Sequence, residues 1–341
     1  MNRKLLHVWG CSTCLLVCLG ITCPGTVGPP DTGDPGHGGN AAQTETLQAI
    51  AHVTNTGGAS GIALRPSDGA LFAVNRTGLF GPLDEGDDLS QMQPFGAENL
   101  ATPAIFGTGS DSLVLAITES GEFWIGSSCC VRLAVVPPAG GDAQPFNGLI
   151  TSSSNIKAET MTIVPDDFVG EQIQPGQLLV GQETTFSRLA AIDVEGDRAV
   201  TRVNNPLLGT TNRNAHHLAF GPGPVLYSSR GTLANTIPGL QTIATDGSPT
   251  FVPGSERYGI HSFIVGNNGD LVMRARHNLA SGSELNGVLI FSPADQTMTF
   301  GVGYTTAETS EDDELAISAD GNDIYMSLPK LNQIVRLVDA P

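Results

Sequence analysis

The sequence has almost no helical signal. No stretch of about twelve residues repeats its apolar side chains every 3.6 positions, which excludes helical bundles and helical solenoids. Positive charge is scarce: 16 Lys and Arg stand against 34 Asp and Glu, a net charge of −18. Nucleic-acid binding needs a basic stripe to neutralise phosphates, and docking on anionic lipid needs the same sign, so both partners are excluded. Cysteine is missing where a disulfide scaffold would need it. Cys11, Cys14, Cys18 and Cys23 crowd the N-terminus, and the body keeps only the adjacent Cys129 and Cys130. Such a pair can form a strained vicinal disulfide or remain two thiols beside a strand, but it cannot staple a domain. There is no P-loop and no dinucleotide-binding fingerprint. Ser127-Ser128 and Ser152-Ser153-Ser154 lack the Gly-x-Ser-x-Gly context of a nucleophile elbow.

Long apolar runs are confined to one, Leu5–Thr22, preceded by the basic Arg3 and Lys4. This pattern predicts an export signal over residues 1–23 rather than a permanent span. Cys18 and Gly20 have the small-residue spacing of an ordinary cleavage site. Cys23, followed by a Gly/Pro tract, resembles the start of a bacterial lipoprotein, with Thr22 where a smaller residue is usual. The expected location is therefore extracytoplasmic: secreted, periplasmic or lipid-anchored at Cys23, with no transmembrane span in the mature form. Residues 24–44, PGTVGPPDTGDPGHGGNAAQT, carry almost no large apolar side chain and read as a flexible linker. His37 within them reads as solvated.

What remains, residues 45–341, is strands and turns. The organising phrase is GIALRPSDGALFAV at 61–74: two apolar runs joined by Pro66-Ser67-Asp68-Gly69, the chemistry of a β-hairpin turn. Weaker copies are AIFGTGSDSLVLAIT (104–118), TMTIVPDDFVGEQIQPGQLLVG (160–181), HLAFGPGPVLYSS (217–229), SFIVGNNGDLVMRA (262–275) and LAISADGNDIYMS (315–327). Each is followed by one or two further strand candidates. The starts lie roughly 43 to 57 residues apart, near the period of propeller blades. The prediction is all-β: a single six-bladed β-propeller of four-stranded antiparallel blades. The last repeat has only three strands, so the strand candidate Thr46–Val53 is expected to close it and remove an open sheet edge.

GIALRPSDGALFAV, LAFGPGPVLYSS and LAISADGNDIYMS resemble inner hairpins of the broad six-bladed group that holds NHL repeats, gluconolactonase-like proteins, and strictosidine-synthase and paraoxonase relatives. The resemblance covers about residues 45–340 and speaks to architecture. The group includes calcium-dependent lactonases, lyases and binding modules, so it does not choose an activity. For a calcium lactonase it implies a Glu early in the ring with Asn and Asp later. Only Glu159 is carried over as a candidate, and it stands in the third repeat.

In such a ring the residues just before each inner strand converge at one channel mouth. They are Ser60 and Gly61, Thr102 and Pro103, Glu159, His216 and His217, His261, and Asp312, Asp313 and Glu314. Four successive repeats thus offer carboxylate or imidazole. Glu159, His216, His261 and Glu314 form a candidate set for one divalent metal ion. Imidazole with carboxylate suits zinc, iron, manganese or copper, whereas calcium takes oxygen ligands. His216, His217 and His261 are candidate general bases beside Glu159 or Glu314. The plain alternative is a wet channel mouth whose side chains bond water. Asp84-Glu85-Gly86-Asp87-Asp88 lacks EF-hand spacing and reads as a solvated loop, and Gly266–Asp270 reads as a hairpin turn.

Two functions follow. The first is an extracytoplasmic module that binds a small molecule, glycan or protein. The second is a periplasmic or secreted metal-dependent hydrolase or lyase, lactonase-like, with its site at the channel mouth.

Overall fold

The structure, a computed structural model, describes residues 45–52 and most of residues 61–339. The export signal, the linker, Cys129 and Cys130 lie outside the described residues. Among the described residues no helix is long and apolar enough to cross a membrane.

The organising hairpin forms as its sequence requires. Gly61–Leu64 pairs antiparallel with Leu71–Asn75, and Gly69 takes a φ of 71° in the turn, a value that glycine adopts without strain. The Arg65 guanidinium closes the turn on the Asp68 carboxylate at 2.6 Å and lies 5.0 Å from the Phe72 ring centroid.

Six sheets are described, and their inner strands meet in a closed cycle. Gly61–Leu64 touches Leu113–Ile117, then Thr160–Ile163, Leu218–Phe220, Tyr258–Val265 and Leu315–Ile317 follow, and the last touches Gly61–Leu64 again. One apolar cluster fills each seam. Phe72, Val74 and Leu79 of the first sheet interlock with Phe123 and Ile125 of the second. Trp124 and Val135 meet Leu178 and Ala190 at the next seam. Leu179 and Leu189 meet Leu218 and Leu226, and Tyr227 and Leu240 meet Phe263 and Met273. Val272 and Val288 meet Leu315 and Met326. Ile62 and Leu71 of the first sheet pack on Ala316 and Ile334 of the last, which closes the ring. Each large side chain so buried contributes about 1.5–3 kcal/mol. The strands read as apolar on both faces because each sheet has a neighbour on both sides.

The N-terminal strand, expected over Thr46–Val53, spans Glu45–His52 and pairs antiparallel with Gln333–Asp339 in the last sheet. The acidic loop is more than a solvated turn. Asp87–Asp88 pairs in parallel with Ala51–His52 and makes the last sheet five-stranded. The first sheet correspondingly has three strands among the described residues. Its outer edge is met by a single bridge instead: Leu79 N–H donates to Gly96 O at 2.8 Å, and Phe95 N–H donates to Leu79 O at 2.7 Å. The expectation of four strands in every blade therefore holds for four sheets and is corrected for two.

The second hairpin is also corrected. Its inner strand is Leu113–Ile117, which pairs forward with Phe123–Ser127 rather than back with 104–107. Thr118 N–H donates to Glu122 O at 3.0 Å, and Gly121, at φ 86°, makes the turn. Ile105 and Phe106 are spent in the first seam as buried core. Thr102 and Pro103 are thus not the residues next to that inner strand.

Removing residues 1–52 strips Gln333–Asp339 of one of its two partners and leaves it paired with Ile324–Leu328 alone. We expect a loss of several kcal/mol, at about 1 kcal/mol per ladder hydrogen bond, with concentration-dependent association through the bared edge. Denaturant titration and light scattering read this out, and an unchanged midpoint contradicts the closure. Burial also pushes the Tyr227 phenol above its ordinary value of 10.0. The contribution of its neutral form is complete below that pH and is lost as pH rises through the folded value. Tyr227→Phe is therefore expected to flatten the alkaline decline in stability, measured by urea titration from pH 8 to 11.

Candidate functional site

The inner strands place equivalent residues at equal depth. Each inner hairpin ends its ladder on one pair: Leu64 with Leu71, Ile117 with Phe123, Ile163 with Leu178, Phe220 with Leu226, Val265 with Leu271, and Ile317 with Ile324. Three residues earlier on these strands stand Gly61, Val114, Thr160, His217, Ser262 and Glu314. This tier encircles the starting end of the channel.

His217 and Glu314 hold matching places in the fourth and sixth sheets, and both line one cavity of about 410 Å³ walled by the inner strands of all six sheets. Both are half-buried. Their backbones are held by the same device. His217 N–H donates to Ser229 Oγ at 3.1 Å, and Ser229 N–H donates to His217 O at 3.1 Å. Glu314 N–H donates to Ser327 Oγ at 2.9 Å, and Ser327 N–H donates to Glu314 O at 2.9 Å. A serine hydroxyl takes the place of the carbonyl that a regular ladder would offer. Ser229 and Ser327 are both fully buried. From the third sheet, Thr160 Oγ1 accepts the Leu218 N–H at 3.3 Å, across the seam. The fourth inner strand is thereby pinned from both sides immediately at His217.

The candidate residues separate as follows. His217 and Glu314 share the cavity. Glu159 and His216 lie outside the described residues. His261 lies in Tyr258–Val265, at an irregularity between the pairs Ile260–Ala275 and Ser262–Arg274. Counted back three places from the last ladder pair, the tier residue of the fifth sheet is Ser262, not His261, and that of the third sheet is Thr160. Sequence reading missed Thr160, Ser229 and Ser327. The signal was present: VLYSS and IYMS each bring a serine to the end of the second strand or one place before it.

A divalent metal at this mouth is not supplied by the described side chains. Among the described residues no group of three or more His, Cys, Asp or Glu could hold an ion. His217 and Glu314 offer one nitrogen and one carboxylate, whereas a catalytic zinc takes three protein ligands. No step is therefore routed through a metal. What the described pair offers is an imidazole able to give or take a proton near neutral pH, and a carboxylate on the same cavity. The acidic loop does not gather ligands either: Asp87 Oδ2 accepts the Asp84 N–H at 2.8 Å, and Asp88 Oδ1 accepts from Ser90 N–H at 2.9 Å.

No family model matches the chain, and no curated protein matches it in sequence. Solved structures do. Virginiamycin B lyase from Staphylococcus aureus is similar at 14% identity and a TM-score of 0.53, covering 86% of this chain and 99% of that one. A catalytically inactive histidine-to-alanine variant of that lyase with quinupristin gives the same identity and coverage at a TM-score of 0.52. A gluconolactonase from Xanthomonas campestris is similar at 12% identity and a TM-score of 0.57, covering 94% of this chain and 97% of that one. The chain is thus an all-β protein of the β-propeller class. At these identities the likeness is one of fold.

Ser229→Ala removes the hydroxyl that accepts the His217 N–H, and Ser327→Ala removes the one that accepts the Glu314 N–H. Each is expected to cost about 1–3 kcal/mol, read from the shift in urea midpoint. Values below about 0.3 kcal/mol for both contradict the clasp.

Proposed function

We propose that the protein is an extracytoplasmic propeller that processes a small molecule at its channel mouth as a hydrolase or lyase. The observation that carries this is the placement of His217 and Glu314 on one cavity, each held by a buried serine. A cavity near 410 Å³ lies within the range that takes drug-sized ligands. The His217 imidazole acts as the proton carrier. Glu314 places a carboxyl group on the same cavity. The solved structures of similar fold include a lyase and a gluconolactonase, which supports an enzyme reading at the level of class. The basic Arg3 and Lys4 ahead of Leu5–Thr22 support export, and Cys23 would serve as an anchor.

The test is turnover of a panel of small carboxylic esters and lactones by the purified protein, with His217→Ala and Glu314→Gln alongside. Turnover by the parent and a loss of about 10²–10⁴-fold in kcat/KM for His217→Ala are expected. Full activity in His217→Ala overturns the assignment. Binding of panel members with no turnover by the parent returns the protein to the class of binding modules.

A further inference from the structure

The cavity has two chemically different ends. At the starting end the wall carries Thr160, His217 and Glu314. At the other, the last residue of five inner strands is a large apolar side chain: Leu64, Ile163, Phe220, Val265 and Ile317. All five are only half-buried, while Leu218, Phe263 and Leu315, two places earlier on their strands, are within the seams at 4–5% exposure. One side of each packs onto a seam cluster. All five also line the cavity. The result is an apolar collar drawn from five sheets at one depth. The tier and the collar are three residues apart on each strand, about 10 Å at ~3.3 Å per residue.

We infer that the ligand is an elongated, non-anionic amphiphile, with a hydrogen-bonding head at Thr160, His217 and Glu314 and an apolar tail of about 10 Å running down to the collar. The collar is apolar area already removed from bulk solvent on one side, and a tail covers the other side at the usual gain per methylene. The head is not anionic, because Glu314 sits at that end of a protein with a net charge of −18. This inference rests on the channel being the functional site, but not on turnover.

The probe is a series of N-alkylacetamides, methyl to octyl, titrated calorimetrically into the purified full-length protein. Affinity is expected to rise about fourfold per added methylene, then to level off once the tail has covered the collar. Val265→Thr keeps the side-chain shape and adds a hydroxyl to the collar. It is expected to weaken the long members and leave the methyl and ethyl members unchanged. His217→Ala is expected to weaken every member alike. Equal affinities from methyl to octyl, or an equal effect of Val265→Thr on short and long members, overturn the inference. Chain-length dependence without turnover of any ester removes the catalytic reading and leaves this one standing. Ester turnover with a flat series does the reverse.

Discussion

Ring closure is the constraint on which everything else depends. A row of sheets packed face to face has two bare ends, and each end would expose an apolar face and a strand edge. Here the two ends meet. Ile62 and Leu71 of the first sheet bury against Ala316 and Ile334 of the last. The chain then locks this seam with backbone drawn from three distant places: Glu45–His52, Gln333–Asp339 and Asp87–Asp88 lie side by side in one sheet. Asp87–Asp88, which follows the strands of the first sheet in the chain, joins that lock, and the first sheet's own edge meets the bridge at Gly96. A Cβ on Gly96 would stand 2.7 Å from the Gly141 carbonyl, so the approach at that edge needs glycine.

Closure is also what makes a site. His217 and Glu314 are almost a hundred positions apart in sequence, yet the cycle of inner strands returns both to one tier around one cavity. The serine clasps explain how that tier is held. At the end of each of these two ladders a short hydroxyl side chain accepts the backbone N–H of the tier residue, while the serine N–H donates back to its carbonyl. The same solution appears in the two sheets whose tier residues are titratable. Thr160 adds a bond across the seam to the strand that carries His217.

Much of this was legible in the sequence, and the failures have physical causes. The hairpins with a compact polar turn, such as Pro66-Ser67-Asp68-Gly69, announced themselves because turn chemistry and apolar runs agree. The strand before the first hairpin could be placed because the last repeat was one strand short. The second hairpin failed because Ile105 and Phe106 look like a strand start but serve as seam filling, a distinction set by tertiary packing alone. In the third and fifth repeats the tier falls on the first residue of the repeated phrase, Thr160 and Ser262, rather than on the residue before it, because depth is set by the ladder's last pair at the hairpin turn and not by where the apolar run begins. The parallel pairing of Asp87–Asp88 was illegible for another reason: two acidic residues have no strand propensity, and only the adjacent backbone of Ala51–His52 recruits them.

The similarity to a lyase and a gluconolactonase shows the shared scaffold, and the residues that face the channel decide what this chain does with it. The central claim is that positions 217 and 314 look into the same space. It is tested most directly by placing cysteine at both, His217→Cys with Glu314→Cys, in a chain whose own cysteines are replaced by serine. A short bifunctional thiol reagent should then link the two within one molecule, and mass spectrometry should find a single peptide pair joined across the channel. Independent labelling of the two cysteines, with no intramolecular link at any reagent length that fits the cavity, contradicts the account.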